Sequence, residues 1–204
     1  MQEIIQDSSL TLEEQESTHA EHGHPDHRMF GIVLFLIAES MIFIGLFSAF
    51  LLYRSTISVW PPEGTPPLEL LLPGINSVIL ISSSFVINRG QAAIRKNDLG
   101  GLRFWFGLTA LMGIVFLAGQ MYEYFHLEFG LRTNLFASCF YVLTGFHGLH
   151  VTFGLLLILV VFFGSFKPNR FDSENHFLIE AAELYWHFVD VVWIILFGLV
   201  YLLH

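Results

Sequence analysis

Cysteine is almost missing from this chain. Cys139 stands alone inside an apolar stretch, so no disulfide framework is possible, and a lone buried thiol serves most often as a small hydrophobe. Charge is scarce as well: Asp, Glu, Lys and Arg make up 13% of the 204 residues, against about a quarter in a soluble domain. No Lys or Arg precedes Arg28, and the start of the chain has neither the basic residues nor the apolar run of a secretory signal peptide. No basic patch exists to bind nucleic acid. A Gly-rich phosphate loop, a nucleophile–base set and a Cys cluster are all absent, as is any repeat with a period of about 20–50 residues.

What is present is apolar. Hydrophobic residues reach 54%, and 22 of the residues are Phe. The solvent for most of this chain is therefore expected to be lipid. A helix needs roughly 20 apolar residues to cross a hydrocarbon core of about 30 Å. Five stretches qualify, at about residues 29–53, 70–94, 104–125, 135–163 and 177–203. The second is the weakest, because it contains Asn76, Ser82, Ser83, Ser84 and Asn88. Short connections predict an all-α, five-helix up-and-down bundle in one domain, residues 28–204. Residues 1–27 hold seven acids and the histidines His19, His22, His24 and His27. That composition predicts a solvated, mobile acidic tail, with loose metal chelation as a lesser alternative.

The first connection, Trp60-Pro61-Pro62-Glu63-Gly64-Thr65-Pro66-Pro67, cannot continue a helix, and Trp60 suits a membrane interface. With five spans, Arg28, Arg89, Arg95, Lys96, Arg103, Lys167 and Arg170 share one side, and only Arg54 and Arg132 lie on the other. Cytoplasmic loops carry the excess of Lys and Arg, so the N-terminus is expected in the cytoplasm.

The ionisable residues inside the spans are the candidates for function. Each costs about 2.5–3.5 kcal/mol to insert and should face a partner or a cavity. Glu39 lies near the middle of the first span. The fourth span carries Thr144, His147 and His150. The fifth carries Glu180, Glu183, His187 and Asp190 at steps of three, four and three, which is one helix face. Glu39, His147, His150 and His187 fall at similar depth, so a buried polar layer is expected to join the first, fourth and fifth helices. Three uses of such a layer stay open: hydrogen-bonded glue between helices or contacts to lipid headgroups, the commonest, proton handling, and metal or haem ligation. The His147–His150 pair has metal-like i, i+3 spacing, but no carboxylate flanks it to make a third zinc ligand, and its Phe-rich surroundings argue against a haem.

Several runs now resemble one family. Thr144-Gly145-Phe146-His147-Gly148-Leu149-His150-Val151 and Tyr185-Trp186-His187-Phe188-Val189-Asp190-Val191-Val192-Trp193 carry the likeness, with Trp60-Pro61-Pro62, Ala38-Glu39-Ser40 and Gln120-Met121-Tyr122-Glu123-Tyr124 as weaker additions. Together they are similar to subunit III of the haem–copper respiratory oxidases, and more to the cytochrome c type than to the quinol type, over about residues 28–203. The resemblance implies a non-catalytic subunit of a proton-pumping complex that reduces oxygen to water. Its partners would be subunits I and II, phospholipids and, through the complex, cytochrome c. Haem and copper would reside in the partner subunits, with no metal in this chain, and the subunit would support proton uptake and oxygen access in a bacterial-type energy-transducing membrane. Glu39, Trp60 and His150 match residues at the lipid site or the subunit I contact. Glu123, His147, Glu180, Glu183, His187 and Asp190 read as a structural polar set. The chain has five spans where longer relatives have seven, which puts their lipid-filled cleft in question here. A quinol-oxidase subunit, a stand-alone transporter or proton channel, and a haem-binding cytochrome are the competing readings. Transporters commonly carry inverted repeats and spans broken by Gly and Pro, and neither is visible.

Overall fold

The computed structural model describes residues 27–168 and 170–203. Five helices follow one another: α1 His27–Thr56, α2 Leu71–Ile94, α3 Leu99–His126, α4 Leu135–Gly164 and α5 Phe177–Phe197. A π-helical turn, Gly198–Leu202, extends α5. All five are long and apolar enough to cross a membrane, and no strand occurs among the described residues. The acidic tail expected at residues 1–27 lies outside the described residues except for His27, which is the first residue of α1.

Two helix starts are set by side-chain caps that satisfy backbone N–H groups left open by the first turn. Asp98 accepts from Gly101 N at 2.9 Å, so α3 begins at Leu99, five residues before the apolar run starting at Phe104. Asn134 accepts from Ala137 N at 2.8 Å at the head of α4, and its amide donates to Thr65 Oγ1 at 2.8 Å. That second bond ties the proline-rich connection to the bundle. Asn134→Ala removes the cap and the tie together. It is expected to lower stability by about 1–2 kcal/mol, seen as a lower midpoint of thermal unfolding in detergent.

Helices α2 to α5 form the compact part. Helix α2 packs on α3, α3 on α4 and α4 on α5, and α5 closes back on α2. Trp186 and Trp193 of α5 lie at the centre, fully buried. Trp186 Nε1 donates to Ser83 Oγ at 2.7 Å, and Trp193 Nε1 donates to Ser77 Oγ at 2.8 Å. The Trp186 ring fills space left by two glycines. A Cβ at Gly113 would come within 2.8 Å of it, and one at Gly154 within 2.9 Å. The serines that make α2 the weakest span by hydropathy are thus its anchor points to α5.

Helix α1 departs from simple up-and-down neighbours. It packs lightly on α5 and α4 and makes no comparable interface with α2, its neighbour in sequence. Only 11% of its most apolar window is buried, against 50% for the last helix, so α1 is a peripheral element held along one edge. The small residues Gly45 and Ser48 are exposed, and a Cβ at Gly45 would meet nothing within 4 Å. They mediate no close helix approach within the described chain.

Candidate functional site

The expected single polar layer is divided by the fold into separate groups, because the residues concerned point to different neighbouring helices. The first group joins α1 to α4. Glu39 Oε2 lies 3.1 Å from His150 Nε2. The other ring nitrogen, Nδ1, donates to the Phe146 carbonyl at 2.8 Å. A carbonyl only accepts, so Nδ1 carries a hydrogen. The Glu39–His150 contact then contains one shared proton, either as a carboxylate–imidazolium pair or as a carboxylic acid donating to a neutral ring. Phe43 and Phe146 flank the imidazole, with ring centroids at 4.9 and 4.7 Å.

This pair forms the polar patch of an otherwise apolar cleft of about 760 Å³ between α1, α4 and α5. Ile32, Phe35, Ile42, Leu149, Phe153 and Tyr185 are among its walls. The cleft lies where α1 meets the edge of the bundle, beside contacts that include Phe43 on Phe146 and Phe188 and Phe35 stacked on Tyr185.

Trp60 sits elsewhere, at the loop end of the bundle. It packs edge-on between Phe50 of α1 and Phe136 of α4, with centroids at 5.5 and 5.6 Å. Its peptide bond to Pro61 is cis. Its buried Nε1 has no hydrogen-bond partner among the described residues.

The second group joins α2 to α5. His187 Nε2 lies 2.7 Å from Asn88 Oδ1, and Nδ1 lies 2.9 Å from Ser84 Oγ. Ser84 is also bonded to Asp190, and Glu183 is 3.8 Å from His187. Glu180 sits at the helix end, 3.2 Å from His176 and 3.7 Å from Arg95. The stripe of four residues at steps of three and four thus faces α2 instead of α1 and α4.

The third group lies toward the far end of α3. Glu123 accepts from Gln120 Nε2 at 2.9 Å and from the Tyr201 hydroxyl at 3.0 Å. Tyr201 belongs to the π-helical turn, so the widened end of α5 meets this carboxylate. Glu123 also forms part of the wall of a polar pocket of about 460 Å³ with Glu69, His126 and Glu128. The Tyr201 contact was not legible from spacing, since the two residues are 78 positions apart. Nearby, Tyr124 is hydrogen-bonded to Thr144 at 2.6 Å.

His147 belongs to none of these groups. It is buried, stacked on Trp193 at 4.9 Å and edge-on to Phe116 at 6.0 Å. Neither ring nitrogen has a hydrogen-bond partner among the described residues. One turn away, His150 turns to α1, so the metal-like spacing in sequence does not bring the two rings onto a common ligand.

Membrane-length helices joined by acids and histidines that pair across helix contacts, with an open apolar cleft beside them, define a polytopic helical membrane protein. The sequence comparisons then narrow the class. Residues 8–204 match the family model of cytochrome c oxidase subunit III. Over 185 residues the chain is 75% identical to cytochrome c oxidase subunit 3 of Synechocystis sp., covering 91% of this chain and 79% of that protein. It is 58% identical to cytochrome c oxidase subunit 3 of Thermostichus vulcanus over 182 residues, covering 89% and 90%. Similarity extends to a probable cytochrome c oxidase subunit 3 of Nocardia farcinica, 38% identical over 183 residues and covering 88% and 89%. The chain belongs to the cytochrome c oxidase subunit III family.

Proposed function

We propose that this chain is a non-catalytic subunit of a cytochrome c oxidase, packed against subunit I, with subunit II in the same complex. Its apolar cleft holds phospholipid acyl chains and maintains an oil-like approach for oxygen. The complex oxidises cytochrome c, reduces oxygen to water and moves protons, with haem and copper in the partner subunits. Its N-terminus lies on the cytoplasmic side of a bacterial-type energy-transducing membrane, as the distribution of Lys and Arg implies.

The observation that carries this reading is the 760 Å³ cleft with the Glu39–His150 pair in its wall. Its lining suits hydrocarbon, and the pair is satisfied within the chain, so no cofactor is needed to explain either residue. The exposed face of α1, including Gly45 and Ser48, is suited to close approach by a helix of a partner subunit. Support for proton uptake rests on the one proton that Glu39 and His150 share.

Glu39→Gln tests the reading. A glutamine amide donates to His150 Nε2 without the shared proton, so the pair survives as a neutral hydrogen bond. Initial oxygen reduction is expected to stay within about twofold of the parent, a barrier change of about 0.4 kcal/mol. Retention of the subunit and its phospholipid, measured by native mass spectrometry, should fall on extended detergent washing. Immediate loss of turnover with full assembly and lipid content would contradict the proposal.

A further inference from the structure

Ser84 of α2 stands between two titratable groups of α5 and has only one hydrogen to give. Its hydroxyl is 2.9 Å from His187 Nδ1 and is bonded to Asp190 Oδ2. On the other side of the imidazole ring, Nε2 faces two oxygen acceptors, Asn88 Oδ1 at 2.7 Å and Glu183 Oε1 at 3.8 Å. An amide oxygen cannot donate, so Nε2 carries a hydrogen. If the ring is then neutral, Nδ1 is a bare lone pair. If Asp190 is ionised, it too can only accept. Both would claim the single Ser84 hydrogen, and one contact would fail inside the bundle, where an unmet polar group is expensive.

One added proton removes the conflict in either of two places. On Nδ1, the imidazolium donates to Ser84, and Ser84 donates to the Asp190 carboxylate. On Asp190, the acid donates to Ser84, and Ser84 donates to the neutral ring. Both arrangements use the same three side chains, and they interconvert by shifting two hydrogens through the hydroxyl. We propose that His187, Ser84 and Asp190 form a binding site for one proton, entered at His187 and stored at Asp190.

The surroundings set that direction. His187, with Gln91, Glu180 and Glu183, lines a small opening of about 240 Å³ at the edge of α2 and α5, and about a third of its side chain is exposed. Asp190 is only 4% exposed, and its Oδ1 has no hydrogen-bond partner among the described residues. A full negative charge on a carboxylate with one oxygen unsupported is costly there, and the neutral acid reduces that cost. The other charged groups at the opening are Glu183 and Glu180, the latter next to His176 and Arg95, whereas α1 contributes only Met29. From α4, His150 is engaged by Glu39 and His147 lies against Trp193. Among the described residues, His187 and Asp190 are the titratable groups bonded to Ser84. The hydrogen bonds of the site lie within the α2–α5 contact.

Infrared difference spectra of the purified complex, in H2O and D2O and with ring-15N histidine, test this. The expected result is one deuterium-sensitive protonated-carboxyl band lost in Asp190→Asn, with no imidazolium signal lost in His187→Gln. The reverse pattern, an imidazolium lost in His187→Gln and no carboxyl band lost in Asp190→Asn, would overturn storage at Asp190. Finding neither signal would overturn the proposal and would mean that Asn88 offers its NH2 to Nε2. Finding both would overturn it as well, since two protons would then be held. If either variant does not assemble, Ser84→Ala, which keeps both titratable groups, decides. It should slow H/D exchange of the Asp190 acid about tenfold or more, the equivalent of one lost hydrogen bond, and unchanged exchange would overturn the relay.

Discussion

Trp186→Ala is expected to lose about 3–5 kcal/mol of stability, the usual cost of emptying a large aromatic site in a packed interior. Lipid is as apolar as the core, so little hydrophobic driving force holds these helices together, and close packing and interhelical hydrogen bonds take its place. Trp186 provides both. Its ring occupies the gaps at Gly113 and Gly154, and its Nε1 donates to Ser83. No neighbouring side chain grows from those two glycines to refill the space. Thermal unfolding in mild detergent should shift sharply downward, and less of the chain should co-purify with its complex. Trp186→Phe separates the contributions. It retains most of the ring contacts and removes one hydrogen bond, while Ser83 still donates to the Leu80 carbonyl at 2.6 Å. Its cost should be only about 0.5–1.5 kcal/mol beyond lost contact area. Equal behaviour of the Ala and Phe variants would show that the ring is not what joins α5 to α3 and α4.

Glu123→Ala should be comparably damaging, at about 3–5 kcal/mol, because it strands donors as well as removing volume. Gln120 and Tyr201 both direct hydrogens at this carboxylate, and both are buried, Tyr201 completely. With alanine in place, the side-chain contact that remains to them is the one between Gln120 and Tyr201. The π-helical turn that carries Tyr201 would lose its tie to α3, so the end of α5 should fray first. Amide hydrogen exchange at residues 198–203 would report this as loss of protection, ahead of any change at Trp193. Glu123→Gln offers Tyr201 an acceptor and lets Gln120 rotate its own carbonyl toward the new amide, so its cost should stay near 1 kcal/mol. A Glu123→Ala chain with native protection at residues 198–203 would show that the carboxylate does not organise that end of the bundle.

The two predictions draw on different levels of information. The burial of Trp186 depends on which face of α5 meets its neighbours; that Glu123 is enclosed follows from the cost of a charge within an apolar, membrane-length helix. Which groups they meet does not, because Ser83 and Tyr201 are separated from them by 103 and 78 positions. The same division holds for the polar stripe of α5. Its period put Glu180, Glu183, His187 and Asp190 on one face, and that face is real. Period carries no information on which helix lies opposite, and α2 occupies that place through the serines and asparagine that had marked it as the weakest span. His147 and His150 make the point at shorter range. They are three residues apart, yet one faces Trp193 and the other faces Glu39, since a step of three turns a helix by about 300° and the gaps between helices decide the rest.

The sequence by itself determined the class of solvent, the number and approximate limits of the five helices, and the family, because each depends on composition, run length or local motif. Hydrocarbon leaves the backbone no hydrogen-bond partner but itself, so a sufficiently long apolar run must become a helix. Only the tertiary structure decided that α1 stands apart to leave a cleft, that the ionisable residues divide into separate groups, and that one serine serves both His187 and Asp190. Those features are set by packing between helices, where the choice of neighbour depends on shape and on distant hydrogen-bond partners that no local pattern records.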